Sequence, residues 1–159
     1  MIDINNAAST SQTAIGCFLF FRNFRPAKII HLASGLRGDR RDDLIRTNVE
    51  GTAALLDAIG RAGNFSPTFV LCSSGGVYGN PVSLPLSETA SCEPLDEYSK
   101  TKLAAELVTR SSAAQQGFRL IVARIFNIVG AGGRTSVMLP DRSLFSLPDR
   151  AFPVIGFCV

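Results

Sequence analysis

The sequence predicts an α/β fold built on a small parallel sheet, and three observations predict it. Short apolar runs of strand length alternate with longer stretches of helical period. The connections between them carry Gly, Pro and Ser. Hydrophobic residues make up 46% of the chain against 18% charged, which excludes a disordered chain and supplies a core. Strand, helix, strand, helix, strand is the order of parallel strands joined by crossover helices. The 159 residues fit about one domain at the usual ~100–200 residues each. A chain of this length buries roughly 68% of its unfolded surface.

Met1–Gln12 is small and polar and reads as a loose end. Ala14–Phe21 (AIGCFLFF) is an apolar run, expected to form a strand that fills the sheet edge beside Lys28–Ala33. It falls far short of the ~20 residues that span a membrane. Asp3 also stands where a signal peptide needs positive charge. Lys28–Ala33 (KIIHLA) suits a strand covered on both faces, with helices expected on either side of the sheet. Asp42 and Asp43 offer an N-cap to a helix carrying Leu44, Ile45, Val49, Leu55, Leu56 and Ile59, which Gly60 and Gly63 close. Thr68–Cys72 is the second strand, followed by the loop Ser73–Pro94. A second helix is expected over Glu97–Gln115, ended by Gly117, and Arg119–Phe126 is the third strand. Beyond Gly133 no period survives, and the two copies of LPDR make no repeat architecture. Phe152–Val159 is apolar but too short for a second domain.

Composition also excludes partners. A net charge of +3, without a basic stripe or any Trp, argues against nucleic acid. Cys17, Cys72, Cys92 and Cys158 show no CxxC spacing and there is one histidine, so no metal site is expected. Reduced thiols in a cytoplasmic protein, with no membrane segment, are the expectation.

The most informative spacing is Tyr98-Ser-Lys-Thr-Lys102. On a helix, positions i and i+4 share a face, so the phenol and the ammonium stand side by side. A free phenol titrates near ~10 and is a poor acid or base at neutral pH. A cation about 4 Å away is worth ~4 kcal/mol at an effective dielectric of 20, the scale that makes a phenol a working proton carrier. Alone, the spacing also describes a surface Tyr/Lys pair on an ordinary helix. Strand Thr68–Cys72 runs into Ser73-Ser74-Gly75-Gly76-Val77-Tyr78-Gly79. Small residues at the carboxyl end of a parallel strand mark where such sheets bind ligands. A serine hydroxyl there can hold a substrate oxygen while Tyr98 moves the proton. Alone, SSGGVYG also describes a glycine-rich turn. Chance accounts poorly for both together in strand-to-helix order.

HLA at His31–Ala33, NVEGT at Asn48–Thr52, SSGGVYG, YSKTK and RIFNIVGAGG at Arg124–Gly133 resemble the extended short-chain dehydrogenase/reductases. These are the NAD(P)-dependent epimerase/dehydratase enzymes of nucleotide-sugar metabolism. Within them the forms look most like GDP-4-keto-6-deoxy-mannose reductases and GDP-mannose 4,6-dehydratases. The resemblance implies a partial Rossmann-like sheet over residues 26–133, between divergent segments at 1–25 and 134–159. It implies that Ser74 holds the sugar's reacting oxygen, Tyr98 is the acid/base, and Lys102 binds the nicotinamide-ribose hydroxyls. Leu32 and Ala33 would line the cofactor, Asn48 would brace the active-site helix, and Phe126 would border the nicotinamide. Asn127 would reach the sugar or diphosphate of a nucleotide-sugar substrate. His31 is expected to fill the strand end rather than to act in catalysis. The two helices would be available for pairing two copies.

One departure bears on all of this. The family opens with a strand, a GxxGxxG turn and a helix whose N-terminus receives the cofactor pyrophosphate. In these residues Gly16 is the only glycine before Gly35, so that first βαβ unit is missing. With it goes the residue that selects NAD over NADP. Binding of either cofactor by this chain alone is therefore expected to be weak. The expected function is hydride and proton transfer at a sugar hydroxyl or keto group. The alternatives are a catalytically silent, truncated remnant and a dimerising interaction module.

Overall fold

The computed structural model describes residues 10–81 and 84–126. Asn127, the expected tail 134–159 and most of the expected loose end lie outside them. Three parallel strands, β1 (Lys28–His31), β2 (Thr68–Ser74) and β3 (Arg119–Ile125), form one sheet in the order β1-β2-β3. Lys28 pairs with Thr68 and His31 with Leu71, while Thr68 pairs with Arg119 and Ser74 with Ile125. The α/β reading holds.

Ala14–Phe21 is the main correction. It lies inside helix α1 (Thr10–Phe24), not in an edge strand, and one edge of β1 has no partner strand among the described residues. A uniformly apolar octet has no alternation to mark it as a strand, and helical geometry gives it a better use. Phe21 is buried, and Cys17, Phe18 and Phe20 pack against the same core at helical spacing. Phe20 stacks on Phe24 one turn on, with centroids 4.9 Å apart, and Arg61 lies 5.1 Å over the Phe18 ring.

After β1 a continuous helical stretch begins at Arg41, not at an aspartate cap. Arg40 takes the N-cap position without a side-chain bond, and Asp42 and Asp43 sit inside the first turn, where carboxylates complement the helix dipole. The stretch comprises α2 (Arg41–Leu44), a π-helical segment Ile45–Glu50, and α3 (Gly51–Arg61). Gly60 does not end α3. It lies inside the helix, where a Cβ would meet the Gln116 side chain at 3.0 Å, and Gly63 follows the end. Helix α4 (Glu97–Gln116) starts at Asp96, whose Oδ1 accepts the Ser99 N–H at 2.8 Å, and ends at Gly117 in the left-handed region.

The core joins Phe21 of α1, Leu55, Leu56 and Ile59 of α3, Phe69 and Leu71 of β2, and Phe118. Phe69, Leu71 and Ser73 point into this side, while Thr68, Val70, Cys72 and Ser74 on the other side are only half-buried. Helices therefore cover one face among the described residues, where both were expected. The strand order explains it, because two right-handed crossovers stepping in the same direction leave their helices on the same side. No helix among the described residues is long and apolar enough to cross a membrane.

Candidate active site

The site forms at the carboxyl ends of β1 and β2, where α4 begins. Ser74 ends β2 and caps a 3-10 turn, Gly75–Tyr78, its Oγ accepting the Gly76 N–H at 3.1 Å. That leaves the Ser74 hydroxyl proton to donate outward. Tyr98 and Lys102 share a face of α4, with the Lys102 Nζ 6.0 Å from the Tyr98 ring centroid. Lys102 is buried to 6% exposure and donates to the Ser34 Oγ at 3.3 Å. Burial holds the Lys102 ammonium below the usual lysine range, against the opposing pull of negative charge on the Cys72 sulfur and the Glu106 carboxylate.

Asn48 sits in the π-helical segment, a wide turn of the kind that recurs at functional sites. Its Oδ1 accepts the Gly35 N–H at 2.8 Å and the Ser34 hydroxyl at 3.2 Å. Its Nδ2 donates to the Thr101 Oγ1 of α4 at 2.9 Å, so one amide ties the β1 loop to the helix bearing Tyr98. His31 is buried beside this amide, with Nε2 2.9 Å from the Thr52 Oγ1. The Thr52 hydroxyl already donates to the Asn48 carbonyl at 2.6 Å, so His31 is the donor and its Nε2 carries the proton. Burial first, then the Lys102 charge, lowers His31 to about 4. It is a neutral filler of the strand end.

Leu32 is exposed and Ala33 half-buried at the end of β1. Phe126 follows β3, exposed, with its ring against Gly75, where a Cβ would come within 2.6 Å of it. Asn127 lies outside the described residues.

Two groups here, Arg37 and Glu106, lay outside every motif. Arg37 forms an ion pair with Asp96 and stands 5.4 Å over the Tyr98 ring. Nothing in the sequence marks it. Ser73 and Glu106 form a buried pair beneath the site, at 2.5 Å, and Arg124 grips the same carboxylate through Nε at 3.0 Å and Nη2 at 2.8 Å. Burial would push Glu106 up, but hydrogen bonds from Arg124 and then Ser73 hold it below the usual carboxylate range. Its one signal was spacing, since Glu106 lies one helical turn beyond Lys102.

The residues present fit one end of a dinucleotide. The buried Lys102 ammonium, with one long bond to Ser34, keeps N–H groups without a partner among the described residues, donors of the kind a ribose hydroxyl would accept. The glycine turn that would cradle a pyrophosphate is not among these 159 residues.

A parallel α/β sheet with a helix-borne Tyr/Lys pair and a serine at the preceding strand end defines the class, the extended short-chain dehydrogenase/reductases. The chain belongs to the NAD dependent epimerase/dehydratase family, whose model matches residues 11–146. It is 36% identical over 122 residues to the GDP-6-deoxy-D-mannose reductase of Pseudomonas aeruginosa, covering 72% of this chain and 39% of that protein. It is 37% identical over 100 residues to the UDP-glucose 4-epimerase of Azospirillum brasilense, covering 62% of this chain and 28% of that one. Among solved structures, RMD from Pseudomonas aeruginosa complexed with NADPH superposes with a TM-score of 0.64 at 35% identity, over 70% of this chain and 39% of that chain. The UDP-glucose 4-epimerase of Brucella ovis in complex with NAD gives 0.69 at 30% identity, over 78% and 38%. The chain thus spans under two fifths of the length of these relatives.

Proposed function

We propose that the chain carries the proton-transfer half of an NAD(P)-dependent oxidoreductase or epimerase site for nucleotide sugars. The observation that carries this reading is the Tyr98/Lys102 pair on one face of α4, beside the strand end that holds Ser74. The names of the relatives, a GDP-6-deoxy-D-mannose reductase and UDP-glucose 4-epimerases, support the substrate class.

The Ser74 hydroxyl donates to the reacting sugar oxygen and fixes its position. The Tyr98 hydroxyl takes the proton of a sugar hydroxyl, or returns one to a keto oxygen. Lys102 places positive charge beside the ring, so negative charge developing on the phenol oxygen is stabilised as the proton leaves. Its remaining N–H groups orient ribose hydroxyls, with Leu32, Ala33 and Phe126 bordering the ring they hold. Asn48 keeps the β1 loop and α4 in register. A bound nicotinamide supplies the hydride donor or acceptor at the sugar carbon.

The test is nicotinamide absorbance at high chain concentration, with millimolar NAD(P)H or NAD(P) and GDP- or UDP-sugars. A slow conversion that requires the nucleotide sugar is expected, and Tyr98→Phe slows it by about 10²–10⁴-fold. No sugar-dependent change in the folded chain would favour the catalytically silent alternative.

A further inference from the structure

The Tyr98 ring has a neighbour that the proton-transfer scheme leaves unused. The ring is half-buried in the first turn of α4, and its hydroxyl makes no hydrogen bond to a described residue. Two cations meet it, Lys102 from its own helix at 6.0 Å and Arg37 from the loop after β1 at 5.4 Å. The root of the Arg37 side chain is fixed. Arg37 follows Leu36 in a tight turn, closed by the Asp39 N–H to the Leu36 carbonyl at 3.1 Å and by the Leu36 N–H to the Asp39 Oδ2 at 2.7 Å. Gly38, at φ +101°, supplies the left-handed third position of that turn. Just before it, Ser34 and Gly35 are fastened to Asn48. A fixed root lowers the entropy cost of placing the tip.

The tip is placed by three neighbours. The guanidinium lies over the Tyr98 ring, and its Nη1 is ion-paired with Asp96, the N-cap of α4. Its Nη2 lies against the bare backbone of Gly76, so near that a Cβ there would stand 3.1 Å away. Asp96 serves both ends, since its other oxygen accepts the Ser99 N–H. An exposed ion pair holds little by itself, and so does one exposed cation–π contact. Here both act on one side chain whose root is already held.

We propose that Arg37 is a positioning residue for Tyr98, a clamp that reaches from the β1 loop over the ring and holds the phenol where it moves the proton. A planar guanidinium can stack on a ring and pair with a carboxylate at once, which an ammonium cannot. Asn48 ties the same loop to Thr101, so Asn48 sets α4 against the loop and Arg37 sets the ring upon α4. This rests on the reading of Tyr98 as the proton carrier, and its first readout needs no turnover.

The experiment labels the rings of both tyrosines of the full chain with carbon-13, Tyr98 being assigned by its loss in Tyr98→Phe. In Arg37→Gln the Tyr98 signals should move and their relaxation should report a freer ring, while those of Tyr78 stay. Arg37→Lys, which keeps the charge and loses the plane, should recover part of the wild-type signal. Asp96→Asn keeps an acceptor for the cap and should give a smaller change in the same direction. In turnover, Arg37→Gln should lower kcat about tenfold and leave KM for the nucleotide sugar unchanged, as for a reacting group held less well. Unmoved Tyr98 signals in Arg37→Gln overturn the proposal. So does a raised KM with kcat unchanged, which would make Arg37 a substrate contact. A chain that converts the sugar with an unresponsive ring loses the clamp and keeps Tyr98. One whose ring responds but that converts no sugar keeps the clamp and loses the catalytic reading.

Discussion

The two sides of the molecule are held by different forces. Around α1 and α3 the contacts are apolar, with Phe21 and Phe65 stacked at 5.9 Å and Phe69 beside Phe118 at 5.8 Å. Around the start of α4 and the strand ends they are directional, running from Ser34 through Asn48 to Thr101 and from Ser73 through Glu106 to Arg124. Apolar packing stabilises without choosing a single geometry, whereas a buried polar network admits few arrangements. The apolar side thus sets how stable the fold is. The polar side sets where Tyr98 and Lys102 stand.

Removing one group from each side separates the two roles. Phe21→Ala should lower stability by about 3–5 kcal/mol through the cavity it leaves. Urea unfolding measures this, and in the molecules that remain folded the Tyr98 and Lys102 resonances should stay in place. Glu106→Ala should cost a similar ~3–5 kcal/mol, because Arg124 and Ser73 lose a buried partner. Here the Tyr98 and Lys102 resonances should shift even in the folded molecules. The same response from both variants would break the division.

A smaller effect belongs to the border between the two sides, where His31 is kept neutral. Its folded value of about 4 lies below the ordinary 6.5, so the unfolded chain takes up a proton before the folded one does. Stability from this group is complete above pH 6.5 and falls by about 3 kcal/mol as pH drops towards 4. Glu106, held below the usual carboxylate range, adds its own loss from the ordinary value of 4.5 downward, where the unfolded chain protonates first. Urea midpoints measured across this range should show the first step, and His31→Gln should flatten it. A midpoint independent of pH between 6.5 and 4 would contradict the buried neutral imidazole.

Legibility in the sequence divides along the same line. Gly117 marks the end of α4, and the spacing of Tyr98 and Lys102 announces their shared face, because caps and i,i+4 pairs are local. The three strands are also recognisable as apolar runs, although β1 stops at His31 and β2 extends to Ser74. Ala14–Phe21 misled because an apolar run carries no period of its own, and tertiary packing decided it. The π-helical turn at Ile45–Glu50 is invisible for a related reason. Asn48 is pulled toward Gly35 and Thr101, residues distant in sequence. Arg37 stayed hidden because its neighbours, Asp96 and Tyr98, are brought to it only by the fold.

The central claim is that these residues build the ribose-facing, proton-transferring half of a dinucleotide site and not its pyrophosphate anchor. Parallel calorimetric titrations with nicotinamide mononucleotide and with NAD(H) and NADP(H) test it directly. Nicotinamide mononucleotide keeps the nicotinamide-ribose end and lacks the pyrophosphate bridge. The account predicts millimolar binding of all of them, within about tenfold of one another, and loss of each in Lys102→Met. A dinucleotide bound in the low micromolar range, about a thousandfold tighter than the mononucleotide, would contradict it by placing an anchor within these residues.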